Sequence, residues 1–295
     1  MWFKRIGLFL MVNFLIILTV GIVSSLLGVG NYRQGSSLNL PALLGFCVIW
    51  GFVGSFISLA LSRFMAKKMM GVKVIDPASA GGIEQSLLER VQRLSSAAGL
   101  PMPEVGIYDS PEINAFATGP TKKRSLVAVS SGLLRRMNDA EVEGVLAHEV
   151  AHIANGDMVT LTLVQGLVNS FVLFFAKIVG FIAGQAVEEN KRFMVEIVVS
   201  IAAQILFGIL GTMVVARFSR AREFRADTGG ARLAGRDRMI AALSALQRNV
   251  ESIDPHTPEA VAAFKISSRP SGFMALFSTH PPLEDRIRAL QTQNI

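Results

Sequence analysis

His148-Glu149-Val150-Ala151-His152 decides how this chain is read. It lies within Asn138-Asp-Ala-Glu-Val-Glu-Gly-Val-Leu-Ala-His-Glu-Val-Ala-His-Ile-Ala-Asn-Gly-Asp157, a stretch with helix signals at both ends. Asn138 is a good N-cap, and Glu141 three residues later completes a capping box. Gly156 supplies the stop. Between them Val142, Val145, Leu146, Val150 and Ile153 recur near the helical period. On a helix, side chains at i and i+4 share a face, so His148 and His152 can point at one ion. Imidazole nitrogen suits zinc, and a catalytic zinc takes three protein ligands and keeps one open position. Glu149 flanks the same face, where a carboxylate can take a proton from water attacking an amide carbonyl. That is the metalloprotease reading of H-E-x-x-H.

Composition places this helix in an unusual setting. The chain has 295 residues, 51% of them hydrophobic and 17% charged. Soluble domains carry about 25% charged residues, and a mean hydropathy of +0.46 agrees with a membrane protein. The formal charge of +7 is concentrated beside apolar runs, so it fits a membrane surface and needs no nucleic acid. The single cysteine, Cys47, excludes an intrachain disulfide and argues against a cysteine-ligated zinc site.

Uncharged runs cover residues 6–30, 38–62, 158–176 and 197–216. Each approaches or exceeds the length of a bilayer-crossing helix. The first follows Lys4 and Arg5 and is too long for the apolar region of a cleaved signal, so an uncleaved span is expected. A buried helical hairpin of a soluble domain is the alternative for the last two. Arg63, Lys67, Lys68 and Lys73 follow the second run, and Arg217, Arg220, Arg222 and Arg225 follow the fourth. By the positive-inside rule both ends face the cytoplasm, as do the two termini and the His148 region. The expected organisation is a transmembrane hairpin over 1–63, the first part of a cytoplasmic catalytic domain over 64–157, a second hairpin over 158–217, and the rest of the catalytic domain over 218–295. Within it, 83–99 reads as a helix. Segments 104–108, 114–118 and 125–129 read as short strands, giving an α+β domain. Residues 237–250 form an amphipathic helix, 252–271 are irregular, and a last helix carries Leu283, Ile287 and Leu290.

The third ligand must come from elsewhere. Glu223 and Asp227 stand at i and i+4 in Ser219-Arg-Ala-Arg-Glu-Phe-Arg-Ala-Asp227. Glu223 could ligate zinc while Asp227 accepts an imidazole N–H, although a solvated helix face is an equal reading of two acids among arginines. Asp157 is the nearer rival. It lies past Gly156, where its short side chain is expected to turn away from the ion, so Glu223 is preferred. His280, before Pro281-Pro282, could donate to an oxyanion or simply pack the turn. Asn114, Ala115 and Phe116 open a strand that could pair with extended peptide if it lies at a sheet edge, or be an ordinary core strand.

Together these motifs resemble the HtpX family of bacterial integral-membrane zinc metallopeptidases, related to the CAAX prenyl endopeptidases. The resemblance rests on the opening apolar runs, Asn114-Ala-Phe-Ala-Thr-Gly119, His148-Glu-Val-Ala-His152, the apolar pair that follows, Glu223-Phe-Arg-Ala-Asp227 and Ser278-Thr-His-Pro281. It implies a zincin-like (gluzincin) α+β catalytic domain joined to four transmembrane helices in two hairpins. It implies one Zn2+ per chain on His148, His152 and Glu223, with Glu149 as base and Asp227 in support. It also implies a multi-pass protein of the bacterial inner membrane that cuts damaged or misassembled membrane proteins under stress. A processing protease for one lipidated peptide and a non-catalytic zinc-binding membrane adaptor are the alternatives.

Overall fold

The structure, a computed structural model, describes residues 2–34, 37–251 and 276–293. The chain divides into two compact units, one of Met1–Leu59 and Leu161–Val215, the other of Ala60–Thr160 and Ala216–Ile295. The boundaries fall inside three helices, α2 (Leu40–Met69), α6 (Asp157–Gln185) and α7 (Glu189–Ala234).

The first unit also holds α1 (Trp2–Leu26) and a small ribbon, β1 (Arg33–Gln34) with β2 (Ser37–Leu38). Its interior is a small cluster in which Leu43, Cys47 and Leu173 are buried against Tyr32, Phe46 and Phe174. Most other large apolar side chains on these helices face outward, such as Phe171, Ile205 and Leu210. Such exposure is expected when lipid is the solvent. Among the described residues α2, α6 and α7 are long and apolar enough to cross a membrane, and Leu10–Leu26 of α1 is a shorter apolar helix. α7 runs 46 residues without interruption across the expected domain boundary at 217/218, because no glycine or proline stands where the apolar run meets Arg217.

The second unit is an α+β domain. Its sheet is ordered β3 (Lys73–Val74), β4 (Glu104–Tyr108), β6 (Arg124–Ser130), β5 (Ala115–Thr121). β4 and β6 are parallel, and β3 and β5 pair antiparallel at the two edges. β6 lies inside, and every residue from Ser125 to Ser130 is buried. Val127 and Val129 join the main core with Val91 and Leu94 of α3 (Ile83–Ala97) and Leu146, Val150 and Ile153 of α5 (Asp139–Asn155). Leu126 and Ala128 meet Ala66, Val72 and Tyr108 on the other face. A strand covered on both faces carries a continuous apolar run. Of the three expected strands, 104–108 has the expected bounds, the second runs 115–121 and the third 124–130, and β3, only two residues, adds a fourth. A short helix, α4 (Ser131–Arg136), leads into α5; α8 (Arg236–Glu251) and α9 (Leu283–Thr292) complete the core with Met239, Leu243 and Leu290. The expected irregular segment 252–271 lies outside the described residues.

The capping box at α5 is complete. Asn138 Oδ1 accepts from the N–H groups of Ala140 and Glu141, and Glu141 Oε2 accepts from Asn138 N–H at 2.9 Å. Gly156 closes the helix with φ 69°. Asn138→Ala should therefore cost about 1 kcal/mol, a fall of about 2–4 °C in melting temperature for a domain of this size. An unchanged melting temperature would remove the cap from the account.

Candidate metal centre

Two helices deliver the central groups. α5 presents His148 and Glu149, both buried, and His152, half-buried. α7 presents Glu223 and Asp227, at 2% and 1% exposure. Two glycines at the end of α7 make the approach possible. A Cβ at Gly230 would stand 3.1 Å from the His148 main-chain nitrogen, and one at Gly229 would stand 2.9 Å from Ala151 Cβ. Larger residues would push α7 off α5 and draw Glu223 away from the histidines.

Three donor atoms converge. His148 Nε2 is 3.1 Å from His152 Nε2 and 3.4 Å from Glu223 Oε2, and His152 Nε2 is 3.5 Å from Glu223 Oε1. Donors bound tetrahedrally to zinc at about 2.0–2.1 Å stand about 3.3–3.4 Å apart. The spacing therefore fits one ion shared by His148, His152 and Glu223. The other sides of the rings are held. His148 Nδ1 faces Asp227 Oδ1 at 3.0 Å, and His152 Nδ1 faces Asp157 Oδ2 at 2.6 Å. With each Nδ1–H donating to a carboxylate, each Nε2 keeps its lone pair for the shared centre. Glu223 Oε2 gives a further sign of fit. It is buried with no well-aligned donor, although the His148 and His280 rings face it at 3.4 and 2.9 Å, and a cation there would meet its charge.

Arg286 of α9 closes the arrangement. It is 2% exposed and grips Asp227 with both arms, Nε to Oδ2 at 2.7 Å and Nη2 to Oδ1 at 2.6 Å. Its Nη1 stands 3.4 Å from Glu223 Oε2. Electrostatics follow from these contacts. Burial pushes the His148 imidazolium down, but hydrogen bonds to Asp227 and Glu223 outweigh it and raise its pKa to about 10. Burial likewise pushes Glu223 up, and the three imidazoles of His148, His152 and His280 bring it well below the usual carboxylate range. Asp227 is pushed up by burial and brought down to about 2 by Arg286. A site that holds carboxylates ionised and draws protons onto its histidines is one that demands positive charge.

Asp157 differs from expectation. It is not among the three converging donors, but its carboxylate does not turn away. α6 starts directly after the Gly156 cap, and this reversal brings the Asp157 side chain back onto the His152 ring. Its main-chain carbonyl accepts from Arg222 Nη1 at 2.8 Å. Neither this role nor that of Arg286 was read from the sequence. Arg286 left a signal: it stands three after Leu283 and four before Leu290, on the apolar stripe of α9, where a charge is out of place unless paired.

A cavity of about 220 Å³ opens beside the centre, and Glu149, His280 and Asn114 are among its lining residues. One wall, with Leu133, Met239 and Leu243, is apolar. Among the described residues β5 is an edge strand, hydrogen-bonded only to β6, and Asn114, Ala115 and Phe116 line the cavity. The Phe116 ring packs 5.7 Å from Tyr108, among the cluster of the sheet's opposite face, so its main chain is what the cavity meets. His280 is partly exposed here; its turn is held by Ser278, whose carbonyl accepts from Arg220 Nη1 at 2.8 Å.

The chain is similar to known proteins. The model of peptidase family M48 matches residues 83–294. "Protease HtpX homolog" of Bacillus velezensis is 54% identical over 297 residues, covering 98% of this chain and 99% of its own. "Protease HtpX" of Hydrogenovibrio crunogenus is 55% identical over 293 residues, covering 98% and 96%. The crystal structure of S. mikatae Ste24p is similar in fold, with a TM-score of 0.59 and 17% identity, over 84% of this chain and 58% of that one.

Bound metal in purified variants measures the contributions. Glu223→Ala should lose most zinc. Asp227→Asn and Asp157→Asn should each weaken zinc binding by about 10–100-fold, because each orients one imidazole. Zinc affinity unchanged in Asp157→Asn would leave that carboxylate with no part in the centre.

Proposed function

The chain belongs to peptidase family M48, among its HtpX proteases, and we propose that this membrane metalloprotease cuts damaged or misassembled membrane proteins at the cytoplasmic face, as part of a stress response. In this reading His148, His152 and Glu223 hold one zinc ion and Glu149 is the general base. The convergence of three donor atoms beside an open strand edge is the observation that supports it most.

Zinc, when bound, supplies Lewis acidity that polarises the scissile carbonyl and lowers the pKa of water. The protein does the rest. The free edge of β5 takes an extended segment of substrate by main-chain hydrogen bonds, which fixes the scissile amide without reading its sequence. Glu149 accepts the proton of the attacking water and hands it to the departing amine. His280, at the cavity wall next to Glu223, donates to the oxygen on which negative charge develops. Asp227 and Asp157 keep the imidazoles aimed, and Arg286 keeps Asp227 ionised. Main-chain recognition suits an enzyme whose substrates share an unfolded state rather than a sequence. The basic residues at Arg63–Lys73 and Arg217–Arg225 support a cytoplasmic centre in the bacterial inner membrane, with four spans and both termini inside.

Glu149→Gln should lower peptide hydrolysis by at least about 10²-fold, the low end for a positioned base, while zinc stays bound. Substantial turnover by the zinc-loaded variant would exclude Glu149 as the base. Topology is checked by cysteine labelling of intact cells after Cys47→Ser. An impermeant reagent should reach Asn31→Cys and spare Lys123→Cys; the reverse pattern would invert the protein in the membrane.

A further inference from the structure

The first unit contains a cavity of its own, of about 250 Å³, which the peptidase reading does not use. It is walled by Tyr32 and Arg33 of the α1–α2 connection, Lys177 and Phe181 of α6, and Phe193 and Glu196 of α7. The uncharged run 158–176 before Lys177 is about 28 Å of helix at 1.5 Å per residue, close to the roughly 30 Å hydrocarbon thickness of a bilayer. Lys177 thus falls at the depth of lipid headgroups, and the charged start of α7 (Glu189, Lys191, Arg192) marks the same level.

The charges in this cavity do not cancel. Arg33 Nη1 pairs with Glu196 Oε2, which is one positive group against one negative. Lys177 has no carboxylate partner among the described residues, although it is half-buried in an otherwise apolar stretch of α6. A lysine in such a place ordinarily has an ion to meet. Arg33 uses one arm on Glu196, and a guanidinium has five N–H donors, so most of its hydrogen-bonding capacity remains. Two cationic groups and the Tyr32 hydroxyl therefore share a cavity with one carboxylate, whose Oε2 meets Arg33 and whose Oε1 is buried without a hydrogen bond, and one positive charge remains in excess. Just beyond them the surface is apolar: Phe193 is 72% exposed and Ile182 62% exposed.

We propose that this cavity binds the phosphate headgroup of an anionic phospholipid, with the phosphate on Lys177 and Arg33 and the acyl chains along the exposed apolar faces of α6 and α7. Charge selects the headgroup, and the adjoining apolar surface selects a lipid over a free anion, since each buried methylene adds to binding. The site is separate from the metal centre in both residues and chemistry, and does not rest on the peptidase reading.

Native mass spectrometry of the full-length protein in detergent tests this, with phosphatidylglycerol as ligand and diacylglycerol and inorganic phosphate as separate probes. The expected result is a one-to-one phosphatidylglycerol adduct that diacylglycerol does not form and that millimolar phosphate does not displace. Lys177→Gln should weaken it about fivefold, as expected for one lysine at an anionic membrane surface. Lys191→Gln, which removes an exposed charge already paired with Glu188, should leave it unchanged. A wild-type elution profile and melting temperature report that each variant is folded; should Lys177→Gln fail to fold, Arg33→Gln is expected to weaken the adduct in its place. Equal binding in wild type and Lys177→Gln, or equal loss in Lys191→Gln, overturns the proposal. Displacement by phosphate alone would make the cavity an inorganic-anion site and overturn the lipid assignment.

Discussion

Buried negative charge is the constraint on which the catalytic unit depends. Glu149, Asp157, Glu223 and Asp227 are all buried around one point, with two buried guanidinium groups, Arg222 and Arg286, near them. With neutral histidines this leaves two negative charges in excess. Carboxylates removed from water without compensation are costly, and a divalent cation at the His148–His152–Glu223 centre offsets that excess. The acids in turn define the site, since Asp227 and Asp157 fix which nitrogen of each imidazole is free. Coordination and folding are thus one problem here, as in other sites whose ligands come from separate elements.

The rest of the unit serves to hold those elements in register. α5 is fixed at one end by its capping box and at the other by Gly156, and packs its apolar face on β6 through Leu146 and Val150. α7 reaches it across Gly229 and Gly230. α9 is pinned by Leu290 in the core and by the Arg286–Asp227 fork, a bidentate geometry that lysine could not reproduce. Groups from residues 148 to 286 meet within a few ångströms because α5 lies on the sheet, α7 approaches α5 at its glycines, and the Arg286 fork ties α9 to Asp227. Catalytic geometry held by helices is more exact than geometry held by loops.

Much of this was legible in the sequence because local rules agreed. The cap, the stripe and the i,i+4 spacing of His148 and His152 all describe one helix. The same spacing placed Glu223 and Asp227 on one face, although only packing could say which face it met. What escaped depended on long-range geometry. The direction of Asp157 is set by a second helix beginning immediately after a left-handed cap. The edge position of β5 is set by strand order, not by its own residues. The length of α7 reflects a lack of breakers, where a change from apolar to basic composition suggested a boundary. Arg286 was visible as a charge on an apolar stripe, and its partner lies 59 positions away.

The central claim is that two imidazoles and one carboxylate hold a single zinc ion. X-ray absorption at the zinc edge of the purified full-length protein reads that ligand set directly. The account predicts one zinc with a nitrogen and oxygen shell at about 2.0–2.1 Å and multiple scattering from two imidazoles, with no sulfur. A sulfur shell, or scattering from one or three imidazoles, would contradict it.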